Sequence, residues 1–442
     1  MGTNKAYKWL LIAMLSGAFF FHQADRALFG LLTIPIQDEL KLTDVQIGWI
    51  NTTLSWTLAA MTVVAGFLGD RFSRKWIITL SLIAWSLMTV CMGFIGGFVG
   101  ALFFRSIATG VGESFYAPSA YALIAVHHKE TRSVALSIHQ AALYIGLMVS
   151  GLIVAWMLRF LGTWRNVFIA FGAAGCALGI SFIWLLKDGI SKTAKDELED
   201  SRIGGLEDLK IESPTHPIPQ SPNHPIPQSS NLTITHSLRA YFCNSSALCA
   251  TAGFVAIVFV NNAYLFWAPK FAAEKFAIGV GEAGKGVMLW HHLFAFGAIL
   301  LGGVVTDRLV GRFPRFRLGF QILALLCGAP MLLGIGLAPS FTTLLIAASA
   351  YGIFRGFFEV NTHASLFDVV PPAYRSTAVG LLNMIAFFFG GLSGVAMGAL
   401  SHRWGVRGFE FGFGVMAGAY VIGALLMAFS FFFTFNRNRV RE

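Results

Sequence analysis

Charge is scarce in this chain. Only 12% of its 442 residues are Asp, Glu, Lys or Arg, against 56% hydrophobic residues and a mean hydropathy of +0.67. That balance excludes an ordinary pair or trio of soluble domains and points to a chain whose solvent is the bilayer. Cysteine is sparse as well. Of the five, Cys91, Cys176 and Cys327 fall inside apolar runs and Cys243 and Cys249 stand six apart, with no C-x-x-C pair, so neither a disulfide framework nor a thiolate metal site is indicated. G-x-x-x-x-G-K-[ST], G-x-S-x-G and H-E-x-x-H are all missing. An ATP-driven pump or a hydrolase therefore has no support, and the expectation is a protein that is not an enzyme and carries no cofactor or metal. The net charge of +10 lies in short clusters between apolar runs, which marks membrane topology rather than a nucleic-acid surface.

Windows of about 20 apolar residues give twelve candidate spans. They cover 8 to 34, 45 to 68, 76 to 95, 98 to 124, 134 to 158 and 165 to 186, then 241 to 269, 284 to 306, 318 to 337, 340 to 366, 376 to 400 and 409 to 435. The first run is too long for a cleaved signal and has no small-residue cleavage pattern, so it is expected to be retained. The fold class is all-α: a polytopic membrane protein with a six-helix bundle over 1–186, a linker over 187–240 and a second six-helix bundle over 241–442. The linker repeats His-Pro-Ile-Pro-Gln-Ser at His216 to Ser221 and at His224 to Ser229, a composition that stays extended and solvated. If both termini and this linker face the cytoplasm, the inner segments hold about 21 Lys and Arg against about 8 outside. The expected location is the cell's inner (plasma) membrane, multi-pass, with both ends inside.

One stretch organises the rest. Gly66 to Lys75, Gly-Phe-Leu-Gly-Asp-Arg-Phe-Ser-Arg-Lys, ends the second span in a basic knot, and it recurs as Gly303-Val-Val-Thr-Asp307-Arg308 after the eighth. Two further echoes keep the same order. Phe104-Arg105 matches Phe354-Arg355, and Thr131-Arg132-Ser133 matches Tyr374-Arg375-Ser376, so the halves read as parallel repeats of six spans. With Gly66, Leu68, Asp70, Arg71, Arg74 and Lys75 in place and Ser73 where a glycine is usual, the chain resembles the major facilitator superfamily over nearly its whole length. The resemblance implies alternating access by a secondary carrier. Gly66, Asp70, Arg71, Arg74, Arg132 and Asp307 become gating candidates, with an Asp70–Arg132 contact expected at the cytoplasmic helix ends.

A narrower resemblance rests on Asp25-Arg26 in the first span with Arg105 and Gly110-x-Gly-Glu113 in the fourth. It is similar to the anion-to-cation symporters of sugar acids and related organic anions, and to the Spinster lysolipid carriers. Carried over from the symporters, Arg26 holds a substrate carboxylate while Asp25 and Glu113 carry protons. Eight residues separate Arg105 from Glu113 where those families have seven, so on an ideal helix one of the two is turned by about 100 degrees.

Ionised side chains at mid-membrane are costly and should face a cavity or a partner, roughly 2.5 to 3.5 kcal/mol being at stake for each. Besides Asp25, Arg26, Arg105 and Glu113, the tenth span holds Arg355 and Glu359 four apart, with Thr362 and His363 continuing the stripe. Paired structural charges are the plainer account of each pair. His22, one turn before Arg26, joins the substrate-binding candidates Arg26, Arg105 and Arg355, and Glu359 joins the proton-coupling candidates. Tyr144 beside His139 and Gln140, Asn262 beside Asn261, Tyr264 and Trp267, and Asn383 could line the same cavity, with hydrogen bonding between helices as the alternative. His291-His292 are adjacent and so diverge rather than chelate. The expected function is proton-coupled symport of a small organic anion such as a sugar acid, by a chain for which a monomer suffices. A lysolipid carrier and a non-transporting membrane sensor of the same fold are the alternatives.

Overall fold

The structure, a computed structural model, describes residues 5–69, 72–128, 131–187 and 234–440. A backbone in hydrocarbon must satisfy its own polar groups, and the twelve apolar runs do so as helices. In the first half these are α1 Lys5–Leu31, α2 Asp44–Gly69, α3 Arg74–Met92, α4 over 98–127 in consecutive pieces, α5 Arg132–Leu161 and α6 Trp164–Leu185. The second half has α7 Ser245–Phe276, α8 Val280–Val310, α9 Phe316–Gly336, α10 Phe341–Glu359 continuing as Thr362–Phe367, α11 Arg375–Trp404, and α12 over 406–438. Nine helical stretches among the described residues are long and apolar enough to cross a membrane by length and composition. The other three, α1, α2 and α4, carry His22 to Arg26, Asn51 to Thr57, and Arg105 with Glu113. In α1 and α4 these polar residues dilute the very signal that length counting uses.

Two boundaries differ from the apolar windows for physical reasons. The first span ends at Leu31 and a short helix, Thr33–Leu40, caps it with Lys41 in the left-handed region at φ 52°. The seventh runs on through Pro269 to Phe276, so Lys270 and Glu274 sit on the helix rather than in a loop. Buried neighbours on both sides of Pro269 hold the chain helical where a solvated proline would end it. The linker repeat lies outside the described residues.

α1 packs on α5 and α3 on α6 in the first half; α8 packs on α10, and α9 on α12, in the second. The halves meet where α2 lies along α11 and α5 along α8. Glycines permit this approach: a Cβ on Gly48 would stand 2.5 Å from the Gly394 carbonyl oxygen, and one on Gly151 would stand 2.6 Å from that of Gly284. The seam is tied from mid-depth toward the face remote from the termini. Trp56 Nε1 donates to the Phe388 carbonyl at 3.0 Å and Thr52 Oγ1 to that of Gly391 at 2.8 Å.

Farthest out, Asp44 at the start of α2 pairs with Lys270 of α7 and accepts from Ser401 Oγ of α11 at 2.6 Å and Gln37 Nε2 at 2.7 Å. Lys270 also donates to Gln37 Oε1 at 2.6 Å. On the same face Arg165 Nε donates to Glu39 at 2.7 Å, and that hydrogen bond holds the Glu39 carboxyl below its ordinary value. Away from the seam Phe94, Val99, Trp184 and Phe433 are each more than 70% exposed, an apolar exterior that suits lipid and not water.

Candidate functional site

α1 places His22, Asp25 and Arg26 within little more than one turn, all buried or half-buried at mid-helix. Opposite them α4 passes through a π turn, Leu102–Ala108. A π turn takes up one residue more than an α turn and is concentrated at functional sites. The eight-residue spacing that would rotate one group away on an ideal helix is absorbed there, and both Arg105 and Glu113 reach α1.

Arg105 is spent on that contact. Nη1 donates to Asp25 Oδ2 at 2.9 Å, and Nη2 donates to the Asp25 and Arg26 carbonyls at 3.2 and 3.1 Å. Asp25 also accepts from Thr89 Oγ1 of α3 at 2.9 Å. Arg105 and Asp25 are each 2% exposed or less, so this is a closed, hydrogen-bonded pair of the kind a buried charge requires. Arg105, expected to touch substrate, instead pins α4 to α1.

Glu113 contrasts with it. The residue is 2% exposed and neither carboxylate oxygen meets a hydrogen-bond donor. The nitrogens nearest it are His22 Nε2 at 3.5 Å and, the one fixed cation of the two, Arg26 Nε at 3.8 Å. Arg26 keeps 20% of its side chain exposed and lies 6.0 Å from the Phe387 ring of α11, which puts its guanidinium on the seam between the halves. His22 is packed by Trp85 and Tyr116 and bonds Gln23 at 2.9 Å. His139 accepts or donates to the Tyr116 hydroxyl at 3.2 Å and stacks on Phe19, a position in the bundle core away from the seam.

A second buried cluster sits on α10 in the other bundle. Arg355 Nη2 stands 3.1 Å from Glu359, and Nη1 donates to His291 Nε2 at 3.1 Å. Because arginine only donates, that nitrogen of His291 accepts, and Nδ1 carries the proton that goes to the Ala348 carbonyl at 3.2 Å. Tyr264 and Tyr351 close on the His291 ring, with centroids 4.4 and 4.8 Å away. Tyr144 of α5 lies against Phe296 of α8 across the seam, with ring centroids 5.7 Å apart. The helix breaks at Val360 and Asn361, and His363 beyond it is exposed, so the stripe expected through Thr362 and His363 does not continue on one face.

The remaining candidates divide. Asn262 spends its amide on Ser55 Oγ of α2 at 3.4 Å, a tie across the seam. Asn383 is half-buried on α11 and Asp307 is exposed near the end of α8. Arg74 begins α3 behind an N-cap, Ser73. Gly66 lies on α2, while Asp70 and Arg71 and the side chain of Arg132 lie outside the described residues, and with them the expected Asp70–Arg132 contact. The His291 and His292 rings are at 89° to each other, diverging as adjacency requires.

Two bundles that meet along one seam, each with an arginine and a carboxylate at mid-depth, accompany a match to the family model of the Major Facilitator Superfamily over residues 14–336. The chain belongs to the Major Facilitator Superfamily. It is a multi-pass membrane carrier and not an enzyme. Among its relatives, the Probable galactarate/D-glucarate transporter GarP of Escherichia coli strain K12 is 25% identical over 87% of this chain and 85% of its own length. Protein spinster of Drosophila melanogaster is 24% identical over 87% of this chain and 60% of its own length. Among solved structures, a bacterial homolog to the human lysosomal transporter Spinster, inward-facing and occupied, superposes with a TM-score of 0.79 at 19% identity, covering 99% of this chain and all of that one. A D-xylose-proton symporter gives 0.70 at 16% identity, over 96% and 97% of the two chains.

For this Major Facilitator Superfamily chain, sequence reasoning missed the partners that make the clusters. Thr89, Tyr351 and Tyr420, whose hydroxyl donates to that of Tyr351 at 3.4 Å, sit in apolar runs and carry no local mark. Lys270 was legible only as a loop cation; its place one turn before Glu274, with which it pairs at 3.4 Å, is the signal that could have put it on a helix.

Proposed function

We propose that this chain is a proton-coupled symporter of a small organic anion of the sugar-acid class, with Arg26 as the anion contact and Glu113 as the proton site. One observation carries the reading: a buried carboxylate with no hydrogen-bond donor, whose arginine neighbour is the more exposed and faces the other bundle. With Glu113 ionised, Arg26 has its counter-charge at home. A proton on Glu113 removes that charge, and an incoming carboxylate replaces it, so proton and anion favour the same loaded state, as symport requires. Asp25, already held by Arg105 and Thr89, positions the α1–α4 contact.

Arg355 and Glu359, paired at 3.1 Å, form the second bundle's share of the site. The far face is tied shut through Asp44 and Lys270, which supports an opening at the end that holds the termini. Loop charge puts that end in the cytoplasm. The GarP resemblance supports the substrate class, and the charge on Arg26 suits it.

The test is uptake into proteoliposomes of galactarate, glucarate and galactonate, with and without an inward proton gradient. Gradient-driven accumulation is expected for at least one; uptake of each that ignores the gradient sinks the coupling. The similarity to Protein spinster supports a second reading, a lysolipid carrier in which phosphate takes the carboxylate's place. Displacement of bound hexarate by lysophosphatidylglycerol, and not by neutral detergent, would favour it.

A further inference from the structure

We propose that the edge of the second bundle nearest the termini is a binding site for an anionic phospholipid, its phosphate held by arginines and one acyl chain laid along α9. Two neighbouring hollows carry the inference. The first, about 620 Å³, is walled by Arg317, Arg375, Arg439, Asp368 and Phe367. The second, about 560 Å³, is an apolar groove formed by Phe316, Phe320, Leu323 and Phe431. Arg439 lines both, so the cationic hollow adjoins the apolar one. A charged head beside a greasy slot is the shape of an amphiphile rather than of a free ion.

The polar hollow is built, not incidental. Arg317 Nη1 donates to Asp368 Oδ1 at 2.7 Å, while its Nε is buried with no partner. Arg375 is anchored on the Val370 and Phe367 carbonyls at 3.3 and 3.1 Å. Beyond the last helix Val440 N donates to the Asp368 carbonyl at 2.9 Å, which pins the chain against the hollow and leaves exposed Arg439 in its lining. One carboxylate against three guanidiniums leaves the lining net positive, and guanidinium forks match phosphate oxygens better than any other side chain. Leu323, 55% exposed, gives the groove an open side to lipid. The height is right as well, since Arg317, Asp368, Arg375 and Arg439 stand at the ends of α9 to α12 where headgroups lie, and Leu323 lies two turns deeper along α9.

The experiment uses the purified full chain in dodecylmaltoside, with native mass spectrometry to count retained lipid and thermal unfolding as a second readout. Dioleoyl phosphatidylglycerol, dioleoyl phosphatidylcholine and inorganic phosphate are added separately. Phosphatidylglycerol is expected to be retained and to raise the unfolding temperature, with little effect from the other two. Arg439→Ala should weaken retention about fivefold, as loss of one arginine from an anionic lipid surface does. Leu323→Glu should weaken it by setting a carboxylate in the acyl slot, and Arg403→Glu on the far face should not. Equal retention of phosphatidylcholine, or an Arg403→Glu loss as large as that of Arg439→Ala, would overturn the proposal. So would inorganic phosphate stabilising as well as the lipid, which would make the hollow a free-phosphate site.

Discussion

Glu113→Gln is the most informative single change. Glutamine keeps the shape of a protonated glutamate and removes its charge, so it locks the protein in the state in which Arg26 is free for an anion. At 3.8 Å the Glu113–Arg26 attraction is about 4 kcal/mol at an effective dielectric constant of 20. Arg26 is one-fifth exposed, and water on that side screens the pair. Taking about a third of the Coulomb figure leaves about 1.4 kcal/mol, or tenfold in Kd.

The wild type should bind its anion more weakly as pH rises, because ionised Glu113 competes for Arg26. Glu113→Gln should bind about tenfold more tightly than the wild type at high pH, with a flat pH profile. Isothermal titration with the preferred hexarate across pH 5 to 9 reads this directly, and proteoliposomes supply the companion result: exchange of bound anion retained, accumulation driven by a proton gradient lost. A variant that keeps the wild-type pH dependence of Kd, or that still accumulates anion on the gradient, refutes the assignment of Glu113.

Arg26→Ala should abolish the anion-induced rise in unfolding temperature while leaving the ligand-free value nearly unchanged, since its one ion pair is long and half-open; differential scanning fluorimetry with and without hexarate checks both halves. Arg105→Ala should destabilise the protein by about 3 to 5 kcal/mol by stranding the Asp25 charge, and adding Asp25→Asn should recover most of the loss in a thermal unfolding series. Gly48→Leu should wedge α2 from α11, because even a Cβ there meets the Gly394 carbonyl. In a background without native cysteines, Ser55→Cys, at a residue 2% exposed, should then react faster with a membrane-impermeant maleimide; an unchanged rate would mean that the seam absorbs the bulk.

The repeat of six spans, the basic knot after α2 and the mid-membrane charges were legible because bilayer physics acts on one helix at a time. Length, hydropathy and an expensive ion are properties of a short window of chain. The relation of Arg105 to Glu113 was not, since spacing was converted to angle by assuming a uniform helix, and a π turn breaks that assumption without any mark in the residues. Lys270 shows the same limit: a cation past a proline reads as a loop until the packing around it holds the helix together.

What the amino-acid order determined by itself is therefore the class of molecule and its inventory: twelve apolar helices in two related sets, with a handful of ions too costly to be left in lipid. Which ion answers which was decided only by the tertiary structure. Asp25 and Glu113 look alike in sequence, both acidic and both opposite an arginine. In the fold one receives donors from Arg105 and Thr89 and the other receives none, because the partners come from helices 64 to 80 residues away. The cost of a buried charge depends on that donor geometry, and donor geometry exists only once the helices have packed.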